Sequence, residues 1–370
     1  MSNNDSFLLT KNPKLDPDFW EQYRRLWQNS ATRSPFQAPC ILQYSVQRVE
    51  NPVAVFQYFQ NAELIAAALF KKENGCYTFL SDMKTDANFF VLHQSCTEED
   101  IRQIFDQFLH LVKKEGWALM LNNQPSWAAY MPLFEAAGKA SGLYWQNIRY
   151  SVCPVAEDET PEALFKRING SRELRYRVNK LKNQENAVFE VLTDDTELEH
   201  WADEFCQAHV LRWDSTPTPS AYRDPARRQF LKGCLQAWNA DGILRRFSVK
   251  VNTGRVGFVI GLMEANSLVH HSTTFHPDYW KFSPGKALIH FMAEWMVAQN
   301  LRALDFGDGD EPYKYTVADR EHILNRIFIS NPLNLPFILK TQAIKVVRDN
   351  PKMYGFYRDT FKRLTQRIQI

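Results

Sequence analysis

Two triplets of apolar runs, one in each half of the chain, restrict its fold more than any other feature. The first is VAVFQYFQ, LIAAALFK and CYTFLS, parted by NAE and KKENG. The second is RRFSVKV, VGFVIGLME and LVHHSTTF, with turns at NTGR and EANS. Short runs rich in β-branched and aromatic residues, broken by turn formers, read as three-stranded antiparallel meanders. The order around each triplet recurs. Helical patterns precede them: DPDFWEQYRRLWQ, with Phe19, Tyr23 and Leu26 on one face, and two segments near 197–211 and 225–238. A helix and a strand follow: TEEDIRQIFDQFLHLVKKEG with WALMLNN, then residues 284–299 with ALDFG. Each half ends in a closing strand, LYWQNIRYSVCP and LNRIFISNP; in the first half a helix over 126–137, stopped by Gly138, comes before it. Identity between the halves is negligible, so the repeat is one of architecture.

A chain of 370 residues has room for two or three domains with large cores. VAEDETP reads as a linker, and Thr160-Pro161 as the cap and first residue of a new helix. This gives an α/β (α+β) chain of three parts: 1–155, 156–335, and a basic helical tail over 336–370. The tail is broken near Asn350-Pro351 and carries eight Lys/Arg against Asp349 and Asp359. Such a helix can lie on a membrane or on nucleic acid, or pack its Phe and Ile face on the body.

Net charge is only +2, so an anion-binding surface must be local. The six cysteines are scattered without CxxC pairs, which points away from zinc knuckles and disulfide frameworks. The N-terminus has no basic segment leading into a long apolar run, and LIAAALF is too short to span a bilayer. A cytoplasmic protein with reduced thiols is expected.

LDFGDGDEPYKY, from Leu304 to Tyr315, holds four acids and two glycines. A calcium loop needs oxygen ligands at alternate positions and glycine at the sixth. Counted from Asp308 the sixth residue is Tyr313, and counted from Asp305 the third is Gly307, so no metal is expected. Acids also repel phosphate. The better anion site is upstream, where LVHHSTTF ends and a helix begins at Ser283-Pro284. Ser283 suits an N-cap, Pro284 the first turn, and Gly285 a close backbone approach. Lys281 and Lys286 add charge. The same segment also reads as an ordinary capped helix. The matching helix start in the first half has no glycine and is acidic, a poor anion site. FKRINGSRELRYRVNKLKNQ reads as a basic helix on which Arg172, Arg175 and Asn179 share a face. It forms either a solvated face or a wall for an anionic ligand. Arg212-Trp213 reads as an acceptor grip or as core packing.

The run FHPDYWKFSPGKALIHFMAEW followed by LDFGDGDEPYKY resembles the C-terminal signature of the CelD-like acetyltransferases, a branch of the GNAT superfamily related to Fem-type aminoacyl ligases. SRELRYRVNKLKN resembles the family's arginine-rich helix, and HVLRW its Leu-x-Arg-Trp-like element. The resemblance runs from about residue 162 to 331. It implies tandem GNAT-like domains, each a mixed twisted sheet flanked by helices, with the donor site in the second only. It also implies acyl transfer from acyl-CoA, such as acetyl-CoA, to an amine of a sugar, amino acid or cell-envelope precursor. Two departures stand out. The pyrophosphate motif survives only as Gly285-Lys286-Ala287, with Phe282 in its leading basic position. HVLRWDSTPTPSAYRDP carries a Thr/Pro-rich insert. A Fem-like transferase using aminoacyl-tRNA and a non-catalytic binding protein of the same fold are the alternatives.

The family fold places donor and acceptor between its splayed fourth and fifth strands, here LVHHSTTF and ALDFG. Transfer needs a neutral amine, donors for the oxyanion and a proton for the leaving thiolate. Strand alternation puts His271, Thr273 and Phe275 on one face. Asp305 or His271 can take the amine proton; Asp305 can instead fix the following turn, and His271 can be a hydrogen-bonded strand residue. Tyr313 is the candidate leaving-group acid and Lys314 the stabiliser. Ser283, Gly285, Lys286 and Ala287 are assigned to the donor, and Arg175, Arg212, Trp213 and Asp310 to the acceptor.

Overall fold

The structure is a computed structural model that describes residues 6–11, 15–80, 85–214, 216, 219–350 and 352–353. The chain divides into two units: Met1–Ser151 with His322–Ile370, and Val152–Glu321.

The first unit begins with β1 (Ser6–Lys11), a strand not foreseen in the N-terminal segment, then α1 (Pro17–Gln28) and α2 (Pro39–Arg48). Asp16 caps α1 by accepting from the Phe19 N–H, and Pro17 takes the first turn. The meander is β2 (Val53–Gln60), β3 (Glu63–Glu73) and β4 (Cys76–Phe79), with β5 (Val91–Leu92) also on β3. Next come α3 (Glu98–Lys114), β6 (Leu119–Pro125), α4 (Met131–Ala140) and β7 (Tyr144–Glu157), which crosses the boundary at Ser151. β1 lies antiparallel on β2, and β4 meets β6 in parallel at Tyr77 and Leu119. Phe90, Phe105, Phe108 and Phe134 fill the core edge-to-face and tilted, which is where much of the aromatic content goes. α3 starts with Glu98, Glu99 and Asp100 under a Thr97 capping box, an acid-rich helix start. Ser81–Lys84, in the preceding connection, lie outside the described residues.

α4 differs from the helix expected over 126–137. Pro132 belongs in a first turn, so the helix begins at Met131. It runs through Gly138 rather than stopping there, because Gly138 faces Trp145: a Cβ would stand 2.1 Å from the indole.

The second unit opens with α5 (Pro161–Gly170) and α6 (Arg172–Glu185). These are two helices where one was expected, since Ser171 is extended and its hydroxyl caps α6 at Leu174. Then follow β8 (Val188–Leu192), α7 (Leu198–Trp213), α8 (Pro225–Ala240), β9 (Leu244–Val251), β10 (Gly254–Glu264), β11 (Ser267–Phe275), α9 (Pro284–Ala298) and β12 (Ala303–Asp305). The order of the first unit thus returns: strand, two helices, meander, helix, strand. Leu288, Ile289, Met292 and Met296 of α9 pack with Phe247, Val259 and Leu268 of the sheet. Each such aliphatic side chain is worth about 2 kcal/mol on burial. Glycine at 257 lets the start of α9 sit this close, since a Cβ there would stand 2.6 Å from the Pro284 Cβ.

β13 (Arg320–Ser330) pairs with β6 through Leu324–Ile329, and α10 (Leu335–Asp349) follows it. The segment 322–335, counted above with the second half, therefore belongs to the first unit. The linker expected at VAEDETP is also displaced. Val155, Ala156 and Glu157 are strand, paired with Asp305, Leu304 and Ala303. α10 turns Phe337 toward Phe328 and leaves Leu335, Leu339 and Val346 exposed. It ends before Asn350, and 354–370, the rest of the basic tail, lies outside the described residues.

Candidate functional site

β11 and β12 pair in parallel for only three steps, Ser267 with Ala303, Leu268 with Leu304 and Val269 with Asp305. After Asp305 the chain leaves the sheet, while β11 runs on to Phe275 against β10. The two strands part there, and the opening between them organises the site.

β11 does not alternate as expected. Its register on β10 slips between Ile260 and Gly261, so His271 is an extra, bulged residue between His270 and Ser272. His271 stands edge-on to Trp238 of α8, ring centres 5.3 Å apart. Thr273 instead lies beside α9, its hydroxyl 3.6 Å from where a Gly285 Cβ would be. The shared face predicted for His271 and Thr273 is thus lost to the bulge. His270 is the histidine beside the opening. It is buried and contacts Phe306 and Tyr313, with ring centres 5.5 and 6.3 Å away.

Asp305 holds the turn after β12, where its Oδ1 accepts from the Gly307 N–H at 2.7 Å. Gly307 and Gly309 have φ of 64° and 114°, which favour glycine. The loop then closes round Lys314. The buried Nζ donates to the carbonyls of Gly307, Asp308 and Gly309 at 3.2, 2.9 and 3.1 Å, and pairs with Glu311 at 2.9 Å. An ammonium has three protons, so these partners saturate it. The oxyanion or phosphate role expected of Lys314 is corrected accordingly: it clamps the loop that presents Tyr313. Asp310 is exposed on that loop.

The last turn of α7 supplies Arg212 and Trp213. The Arg212 guanidinium lies 4.2 Å from the Phe275 ring centre and 5.5 Å from that of Trp213, and one N–H reaches the Thr273 carbonyl at 3.5 Å. Burial pushes the Arg212 pKa down, and the Tyr313 phenol acts in the opposite direction. His209, one turn earlier, stacks on Trp213 and bonds the Ser220 hydroxyl at 2.8 Å, tying Trp213 to the Thr/Pro-rich insert. Ser215, Pro217 and Thr218 of that insert lie outside the described residues.

The start of α9 differs from the expected anion cradle. Ser283 is left-handed, with φ 51°, and its hydroxyl turns to the Trp280 carbonyl instead of capping the helix. The Lys286 and Ala287 N–H groups bond back to the Ser283 carbonyl at 3.0 and 3.2 Å, which leaves Gly285 to offer its amide. Lys286 pairs with Glu173 at 2.6 Å, and the Ala287 side chain is in the core. Positive charge comes instead from α6 and the turn before α9. Arg177 and Lys180 both reach the Lys281 carbonyl, at 3.1 and 3.5 Å. Tyr176 and Trp280, 56% and 71% exposed, stand among them. Arg175 is exposed on α6, where its charge acts on His290 of α9.

Sequence reasoning had named Arg212, Trp213, Asp305, Tyr313 and Gly285, and the structure brings these round the parted strands. It missed His270, because the bulge has no local signal in HHSTTF. It also missed Tyr176 and Trp280, which look like core aromatics until their exposure is seen.

Residues 169–315 match a family model described as an acetyltransferase (GNAT) domain. The match lies within the second unit, which over those residues is similar to a GNAT domain. No curated protein sequence matches the chain. Among solved structures, FemX aligns with a TM-score of 0.61 and 11% identity, over 86% of this chain and 96% of that one. The C-terminal domain of a putative lysylphosphatidylglycerol synthetase from Agrobacterium fabrum aligns at 0.52 with 10% identity, over 76% and 85%. A conserved protein of unknown function from Bacteroides thetaiotaomicron aligns at 0.51 with 11% identity, over 84% and 97%. At these identities the likeness is one of fold.

Proposed function

We propose that the protein is an N-acyltransferase that moves an acyl group from a CoA thioester to an amine. The observation that carries this reading is the parting of β11 and β12 beyond Val269 and Asp305, with Tyr313, Arg212, Thr273 and Gly285 around the gap. A bound acyl thioester supplies an electrophilic carbonyl carbon and a sulfur leaving group. Gly285 offers a backbone N–H to a donor phosphate, and Arg177, Lys180 and Lys281 surround the approach with positive charge. Tyr313, held by the Lys314 loop, gives its phenolic proton to the departing sulfur as the C–N bond forms and the C–S bond breaks. The proton leaving the amine goes to Asp305, directly or through water. Asp305 is better placed than His271, which is turned onto Trp238. The test is binding of acetyl-CoA: a ligand at a hundred times its Kd adds about 2.7 kcal/mol of stability and raises Tm. An unmoved Tm at millimolar acetyl-CoA would overturn this reading.

A second reading, transfer from an aminoacyl-tRNA, is favoured by one observation. Exposed Tyr176 and Trp280 beside Arg177, Lys180 and Lys281 form an aromatic and basic surface next to α9, the chemistry that holds unpaired nucleotides. Binding of aminoacyl-tRNA that weakens steeply with salt supports it; weak binding indifferent to salt rejects it.

A further inference from the structure

Arg212 is, among the described residues, a half-buried cation without a counter-charge. Among the described residues its only polar contact is the 3.5 Å approach to the Thr273 carbonyl; its other neighbours are the Phe275 and Trp213 rings, and no carboxylate of those residues pairs with it. Other enclosed arginines of the unit are better supplied, although Nε of Arg245 and Nε and Nη1 of Arg246 also lack a partner among the described residues. Arg255 holds three carboxylates at 2.5–2.6 Å, and Arg246 donates to two carbonyls at 2.8 Å. A guanidinium has five N–H donors, and withdrawing it from water without an acceptor is unfavourable. The next residue repeats the deficit. The Trp213 indole Nε1–H is buried with no hydrogen-bond partner among the described residues. Two adjacent donors, one charged, are thus left open on the last turn of α7, beside β11 and within the electrostatic reach of Tyr313.

We infer that the acceptor amine carries an oxyanion, a carboxylate or a phosphate, which docks on Arg212 and Trp213. Resting on the acyl-transfer reading above, this narrows the acceptor to a zwitterionic class such as amino acids or phosphorylated amines, and disfavours neutral amino sugars. The planar guanidinium offers two parallel N–H bonds to such a group, while Phe275 and Trp213 hold it in place.

The direct test uses the full chain and needs no turnover. In a 15N-TROSY spectrum the Trp213 indole signal is identified by its loss in Trp213→Phe. Acetate or phosphate, added at constant ionic strength with chloride as the control, is expected to shift that signal in the wild type and not in Arg212→Gln. Whichever anion acts at lower concentration identifies the source. No shift with either anion overturns the inference, whether or not acetyl-CoA binds. In a thiol-release assay with acetyl-CoA, amines bearing the anion are expected to exceed their neutral analogues by about 100-fold in kcat/KM. Arg212→Gln abolishes that preference and Arg212→Lys keeps part of it, with the acetyl-CoA shift in Tm unchanged in both. Loss of that shift in Arg212→Gln would assign the residue to the donor and overturn the inference.

Discussion

The ammonium of Lys314 sits 3.2 Å from the carbonyl oxygen of Gly307, seven residues earlier in the chain. Together with Asp308, Gly309 and Glu311 it closes the acidic loop into a cage round one buried cation. One of the loop's acids, Glu311, thus neutralises the loop's own lysine. Lys314→Met removes the cation and leaves three carbonyls without their donor. A loss of about 2–4 kcal/mol in urea unfolding is expected, with activity lost as the loop opens. If Lys314 only touched substrate, the variant would keep wild-type stability.

The Arg255 cluster sets a pH dependence. Its side chain is 4% exposed and holds Glu190, Glu197 and Glu204. The hydrogen bond from Arg255, and then its charge, lower the pKa of Glu197. A carboxyl depressed in the folded state stabilises above its unfolded pKa, and that contribution is lost as pH falls through the folded value. Wild-type stability should therefore decline on acidification below the ordinary glutamate range. Arg255→Met leaves three carboxylates facing one another and should cost about 2–3 kcal/mol at neutral pH, discounted for their partial exposure. Its loss should shrink on acidification, as protonation relieves the repulsion. Parallel pH profiles of the two proteins would contradict the assignment.

Much of this architecture is legible in the sequence because meanders and amphipathic helices are local patterns. VAVFQYFQ and VGFVIGLME announce strands by composition, and Thr160-Pro161 announces a helix start as cap and first residue. What fails depends on distant partners. Val155–Glu157 look like linker until β12 pairs with them. Gly138 looks like a helix stop until Trp145 fills the space beside it. His271 sits in a bulge created by register on β10, and the strand's own residues do not encode it. Lys314 reads as a stabiliser of the reacting groups, since no local pattern shows that the turn folds around its ammonium.

Gly257 couples the sheet to the start of α9. Adding a methyl group there places it 2.6 Å from the Pro284 Cβ and 3.4 Å from Val249. Neither neighbour is the free end of a flexible chain. Gly257→Ala is expected to cost about 1–3 kcal/mol and to shift the first turn of α9. Because Gly285 rides on that turn, acetyl-CoA binding should weaken several-fold beyond the stability loss. Titration at a temperature where both proteins are folded separates the two effects; equal affinities would detach α9 from the donor.

Tyr313 offers the sharpest test of proton transfer. Its ring is packed by Phe306 and His270, contacts that phenylalanine keeps. Urea unfolding of Tyr313→Phe, measured beside its kinetics, separates any stability loss from the chemical one. Losing the hydroxyl removes the acid assigned to the leaving sulfur, and kcat should fall about 100-fold with acetyl-CoA. The size of that fall should depend on the thiol. A thioester of an acidic aromatic thiol needs no proton to depart, so with such a donor the two proteins should turn over at nearly the same rate. A deficit of the same size with both donors would mean that the hydroxyl positions substrate rather than delivering a proton, and the acid would have to be sought elsewhere round the parted strands.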